Sequence, residues 1–335
     1  MKLLSILSKF AELMKSGNDL AAKNNISADE LDEAIEQVVD GVYQKIRYYP
    51  DYKNILKNSV LGSLVYINKL VESIPGPILI SKTSFSTDPL VSAYFSTVSI
   101  MEEVFSNSTE LKGFFSELEN ASLDEAYAMV CITKTEKTVS GMELHDDIVQ
   151  RDVRQNRLSF SDHKILSPAA SEREVRNGIK QCIFNGLVTH AAQQILEVEE
   201  KKKGLESRRC MLNSKLRTKQ WQSGGLSELL ASASENVDTE SLENQILDNE
   251  KKLGKLPACW DAPRYYLEMI KKTLSKPEQF VSMKAQTYDI TKAGIVCRGD
   301  CSESTNTIRI NEVLIANVLE RVVVIVRYPR KELLP

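Results

Sequence analysis

The chain has 335 residues, 42% of them hydrophobic and 27% charged, with a formal net charge of −3. That apolar fraction excludes wholesale disorder, and the near-neutral balance excludes a global field that would gather nucleic acid or an acidic membrane. The length suits about two domains, and uncharged apolar runs such as VVVIV at 322–326 fall far short of the ~20 residues of a spanning helix.

The opening segment, MKLLSILSKFAELMKSG, is interrupted by Lys9 and Glu12 before the apolar core of an export signal is complete. We therefore expect a cytoplasmic protein whose six cysteines are thiols. Leu3, Leu7, Phe10 and Met14 of this segment share one helical face. Ser27 and Glu30 then form a capping box, in which each side chain satisfies a free amide at a helix start. Leu31, Ile35, Val38, Val42 and Ile46 follow at helical spacing, and Pro50 ends the run. Leu56, Val60, Leu64, Ile67, Val71 and Ile74 define a second helix that stops at Pro75-Gly76-Pro77. The tyrosines and arginine of RYYPDY (47–52) lie at this proline-stopped junction, where aromatics plug a corner more readily than they stack bases.

Asp88 as N-cap and Pro89 at the first helical position start a further helix along Leu90, Tyr94, Val98, Met101 and Phe105. A shorter one follows around TELKGFFSELE. Ser122 and Glu125 form another capping box, and Leu123, Ala126, Tyr127, Val130 and Cys131 fit a helix that Gly141 would stop. Residues 1–142 thus read as a helical domain. Over 143–170 the period shortens: Leu158 and Phe160 stand two apart and DIVQRDV is β-prone, so a short β or loop segment is expected.

Ser171 and Glu174 open the longest pattern, from Val175 through Ile195, Leu205 and Leu212 to Leu216. No proline occurs from 169 to 256, and a helix of about 45 residues suggests a coiled coil. Residues 201–219 carry eight Lys or Arg and one Glu, whereas 228–250 carry seven Asp or Glu and no Lys or Arg. We expect 171–256 to form a long antiparallel helical hairpin, a coiled-coil-like arm. In its seam Leu205 faces Leu253, Leu212 faces Ile246 and Leu216 faces Leu242, while Arg209 meets Asn249 as a polar layer. Lys215, Arg217 and Lys219 are the charge partners of Glu240 and Glu243. Such exposed pairs contribute about 0.3–0.5 kcal/mol each, so the leucines, at roughly 1.5–3 kcal/mol each, must supply most of the energy. The join at 220–238 is long for a hairpin and has room for a short helix at LSELLASA.

The last region, 257–335, offers a helix at APRYYLEMIKKTL and β-prone stretches near 286–297, 306–316 and 320–329, as in an antiparallel meander. The Arg298-Gly299-Asp300 tripeptide between Cys297 and Cys301 reads as the bend of a hairpin. Tetrahedral zinc needs four ligands, and no histidine follows this pair. The fold class is α+β, predominantly α-helical, with a small antiparallel β-rich C-terminal region.

Catalytic signals are sparse. No glycine pattern matches a phosphate loop, and the zinc helix and the nucleophile elbow are absent. Ser161 and Lys164 have Ser-x-x-Lys spacing without its companion elements. Of three histidines, His190 fits a bonded core residue. His145 and His163 lie near Asp146, Asp147 and Asp162, and imidazoles and carboxylates brought together could hold a divalent ion. The expected function is a non-enzymatic interaction or scaffold protein, without cofactor or membrane contact. It would form homo-oligomers or bind a protein partner through the charge-matched hairpin. The alternatives are a metal-dependent hydrolase using His145, Asp146, Asp162 and His163, and nucleic-acid binding through 201–219.

Overall fold

The computed structural model describes residues 26–145, 148–223, 234–258, 261–297, 305–316 and 319–334. The expected N-terminal helix over 3–14, Asp146 and Asp147, the Arg-Gly-Asp bend and the short helix at LSELLASA lie outside the described residues. The protein is α+β, with nine α-helices and seven strands among the described residues. It divides into two compact units, each built from two stretches of chain. One takes residues up to Gly62 and Gly186–Ser275; the other takes Ser63–Asn185 and Lys276–Pro335.

The first unit is helical. Its α1 (Ala28–Val42) starts as its capping box requires: the Ser27 hydroxyl accepts from the Glu30 amide at 3.1 Å, and the Glu30 carboxylate accepts from the Ser27 amide at 2.9 Å. Leu31, Ile35, Val38 and Ile46 are buried, as are Leu56, Val60 and Leu61 at the start of α2 (Tyr52–Glu72). The other helices of this unit are α7 (Glu172–Ser223), beyond Gly186, α8 (Ser234–Leu253) and α9 (Ala262–Leu274). Gly41 lies against Val188 of α7, Tyr43 packs edge-on against Tyr266 of α9 with ring centroids 4.9 Å apart, and Thr273 donates to Gln194 at 2.8 Å. His190 is bonded to Gln194 at 3.0 Å, as read, but it is half-buried and not in the core. At the corner after α1, Arg47 and Tyr52 converge on Glu36 instead of packing inward, and Tyr48 is exposed.

The second unit is organised by its sheet. The strands are β1 (Ile78–Leu79), β2 (Glu125–His145), β3 (Ile148–Ala169), β4 (Val281–Ile290), β5 (Ile295–Val296), β6 (Asn306–Ile315) and β7 (Leu319–Pro329). They pair in the order β1-β7-β2-β3-β5-β4-β6, and β6 also pairs with β7. Six strands therefore close a hydrogen-bonded ring, with β1 attached to β7 as a parallel partner. Residues of one parity, Ala126, Ala128, Val130 and Ile132 of β2 with Val322, Val324, Val326 and Tyr328 of β7, join one apolar core. Short helices complete it: α4 (Pro89–Tyr94), α5 (Val98–Ser106) and α6 (Thr109–Ser116), following α3 (Lys82–Thr87), supply Val91, Tyr94, Phe95, Met101, Phe105 and Leu111. On the opposite face Met129, Val313, Val323 and Ile325 are buried too.

Several sequence expectations need correction. Residues 125–141 are a strand, not a helix. Over 126–132 both faces of β2 are covered, so apolar residues occupy both parities there and the alternation that marks a half-buried strand is masked. The β structure expected over 143–170 is present but longer than expected, since β3 alone runs for 22 residues, and with β2 inside it 1–142 is not wholly helical. The C-terminal strands β4, β6 and β7 do pair antiparallel in succession, as a meander does, and they also close the ring begun by β2 and β3. The helix expected over 90–105 breaks after Tyr94, and Thr97 caps its second half through the Ile100 amide. By contrast, α9 spans the segment read as helix. Cys297 is disulfide-bonded, against the expectation of thiols; Cys131, Cys182 and Cys210 are free.

Candidate functional site

Strand β3 leaves regular pairing with β2 at three bulges, where Asp152, Asp162 and Ser167 take positive φ of 62°, 50° and 51°. A residue in the left-handed region accommodates the extra position of such a bulge and turns the strand. The bulge at Asp162 governs the expected His-Asp group. Asp162 points to Arg321, with an ion pair of 2.9 Å. His163 points into the core side, donates from Nε2 to the Tyr94 carbonyl at 2.8 Å and stacks on Phe95 at 4.8 Å. Burial pushes the His163 pKa below its ordinary value, against the opposing influence of the Tyr94 carbonyl and Asp162. His145 ends β2, twelve residues beyond the Thr133 that flanks this bulge, which is about 40 Å at the rise of a strand. The fold thus does not bring His145 together with Asp162 and His163. No group of three or more His, Cys, Asp or Glu that could hold a metal occurs among the described residues.

Residues from alternate strands meet inside the ring. The Lys134 ammonium of β2 contacts the Glu312 carboxylate of β6, donates to the Tyr288 hydroxyl at 2.8 Å and reaches Glu136 at 3.2 Å. Glu312 is only 3% exposed, and its Oε2 accepts no hydrogen bond among the described residues. Burial disfavours the Lys134 ammonium, yet its contacts with Glu312, Tyr288 and Glu136 outweigh that and raise its pKa. An amine held protonated in this way cannot act as a nucleophile. The cluster is a structural ion pair that sequence reading missed, because its members come from separate strands.

On the long helices, α8 approaches α7. Asn249, 2% exposed, donates to the Leu205 carbonyl at 3.1 Å, and Lys202 donates to the Pro257 carbonyl at 2.8 Å. The expected seam residues stand out from their neighbours: Leu212 is buried, and Leu205, Leu216, Leu242, Ile246 and Leu253 are half-buried among mostly exposed positions. The polar layer differs from expectation. Arg209 is exposed, and the Asn249 amide instead satisfies a backbone carbonyl one turn earlier. Of the expected charge partners, Lys215, Arg217, Glu240 and Glu243 are exposed and Lys219 is half-buried. Leu196 (54%), Met211 (49%), Trp221 (88%) and Leu247 (50%) are apolar yet open to solvent. At 100° per residue, Leu196 and Trp221 lie opposite the Leu205–Leu212–Leu216 stripe.

A cleft of about 740 Å³ opens on the second unit where α3 and α4 meet β3 and the β4–β5 turn. Asp88 begins α4 by accepting the Leu90 amide at 2.8 Å. Thr291 shapes the turn by accepting the Ala293 and Ile295 amides at 3.3 Å each. Gly294, at φ +78°, presses the turn onto β3: its carbonyl accepts the Leu158 amide at 2.8 Å, and a Cβ there would stand 2.7 Å from the Leu158 oxygen. Phe85, Leu158, Phe160 and Ile290 give the cleft apolar walls, while Arg157 and Lys292 place two exposed cations on its rim.

No protein family, curated protein or solved structure matches this chain. Its chemistry has to be read from its own residues. No helix among the described residues is long and apolar enough to cross a membrane.

Proposed function

We propose that this chain is a non-enzymatic interaction protein that self-associates through an arm formed by the distal part of α7 and α8. The observation that supports the reading is that Leu196, Met211 and Trp221 along α7 are open to solvent, while Leu205, Leu212 and Leu216 of the same helix are half-buried or buried. Charge selects the partner. The exposed cations of α7 (Lys201, Lys203, Arg208, Lys215, Arg217) and the exposed anions of α8 (Glu240, Glu243, Asp248, Glu250) offer a second copy opposite fields when arms lie antiparallel. Size is adequate. The 20 residues of α8 span about 30 Å, and two helices side by side about 20 Å, so one face offers roughly 600 Å², near the ~800 Å² per partner of a stable interface.

Sedimentation equilibrium of the full chain tests this. A dimer at low salt should loosen at high salt, and both Trp221→Ser and the pair Lys215→Glu with Arg217→Glu should shift it to monomer with helical circular dichroism intact. A monomer at every concentration overturns the reading. Salt-sensitive capture of nucleic acid by a monomer, abolished by the same charge reversals, would replace it with polyanion binding.

A further inference from the structure

We infer that the cleft between α3–α4, β3 and the β4–β5 turn binds a small phosphorylated molecule with an aromatic body. Its volume of about 740 Å³ falls within the 300–1,000 Å³ of small-ligand sites. The charges fix the class of ligand. Neither Arg157 nor Lys292 forms an ion pair with a described residue, and Asp88, the one carboxylate among the described lining residues, is turned to the Leu90 amide as a helix cap. Two cations on one concave rim with no ion-pair partner among the described residues favour an anion, and a guanidinium with an ammonium suits phosphate oxygens, which accept several charge-assisted bonds at once. The Ser86 and Ser96 hydroxyls line the same cleft and can donate further hydrogen bonds.

The walls fix the rest. Phe85 and Phe160 are half-buried, and Phe160 is held edge-on by Tyr94 at 5.1 Å, so its position is set before any ligand arrives. Leu158 and Ile290, 4% and 5% exposed, close the floor against water. An aromatic ring can enter between such walls while its phosphate stays at the cationic rim. The backbone contact at Gly294 keeps the turn that carries Lys292 against the strand that carries Arg157.

Saturation-transfer NMR on the full chain tests the site with three probes: adenosine monophosphate, adenosine and inorganic phosphate. The monophosphate should bind more tightly than either fragment. The double variant Arg157→Ala, Lys292→Ala should weaken it by roughly ten- to a hundredfold, as loss of hydrogen bonds to a charged group does. Its melting temperature should not move, since both side chains are exposed. Absence of monophosphate binding to the native chain, or binding indifferent to the double substitution, overturns the inference.

Discussion

Lys134 and Glu312 set the energetic stakes inside the ring, because each is tolerable there only with the other. Removing one partner of a buried ion pair costs about 3–5 kcal/mol, whereas replacing both by apolar groups can be neutral. Lys134→Met should therefore lower stability by about that amount at neutral pH in urea unfolding. Adding Glu312→Leu should recover most of it, and a double-mutant cycle measures the coupling. His163 gives the pH response. Its folded-state pKa is depressed by burial, so the unfolded chain takes up a proton from about pH 6.5 downward while the folded chain resists. Stability present above that range is lost as pH falls toward the folded value. In His163→Gln, which can still donate to the Tyr94 carbonyl, the acid-side slope of the unfolding midpoint should flatten. Neither role was legible in the sequence: Lys134 stands beside ordinary polar residues, and His163 drew notice as a possible ligand because only its neighbours in sequence were visible.

At the scale of elements, termini were easier to read than periods. Ser27 with Glu30 and Asp88 with Pro89 announced helix starts, because capping is settled within four residues of chain, whereas the same pattern at Ser122 and Glu125 precedes strand β2. Strand β2 was misread because Val130 and Met129 are both buried, on opposite faces, and nothing local distinguishes such a strand from a buried helix. The cleft was invisible for a related reason: four separated segments build it and none carries a motif. The bulges of β3 can be probed directly. Ser167 is exposed and left-handed, a conformation that disfavours side chains by roughly 1–2 kcal/mol. Ser167→Gly should hold or raise stability by up to about 1 kcal/mol, and Ser167→Val should lower it; thermal melts decide. On the arm, Leu212 is the one fully covered member of its stripe, and Leu212→Ala should cost about 2–5 kcal/mol, read in the helical signal.

Taken whole, the chain is divided differently from the consecutive blocks that the sequence suggested. Each unit combines an early stretch with a late one; two of the three boundaries fall inside α2 and α7, and the third follows α9. Composition shifts cannot mark a boundary within a continuous helix, so the breaks expected at 170 and 256 follow the ends of elements (β3 ends at Ala169, α8 at Leu253) and not the limits of the two units. A fragment ending after Asn185 should therefore lack a cooperative β-sheet transition by circular dichroism, since β2 has lost β7 and β3 has lost β5. Supplying 276–335 in trans should restore it. The order in which the ribosome releases the chain sharpens the point. The hairpin of β2 and β3 emerges with one apolar edge uncovered, and that edge stays open until Val322 and its neighbours arrive to meet Ile132. An unpaired strand edge of this kind invites association with other nascent chains. Translation pausing or chaperone supply during that interval should therefore govern the yield of this protein more than the stability of its finished core.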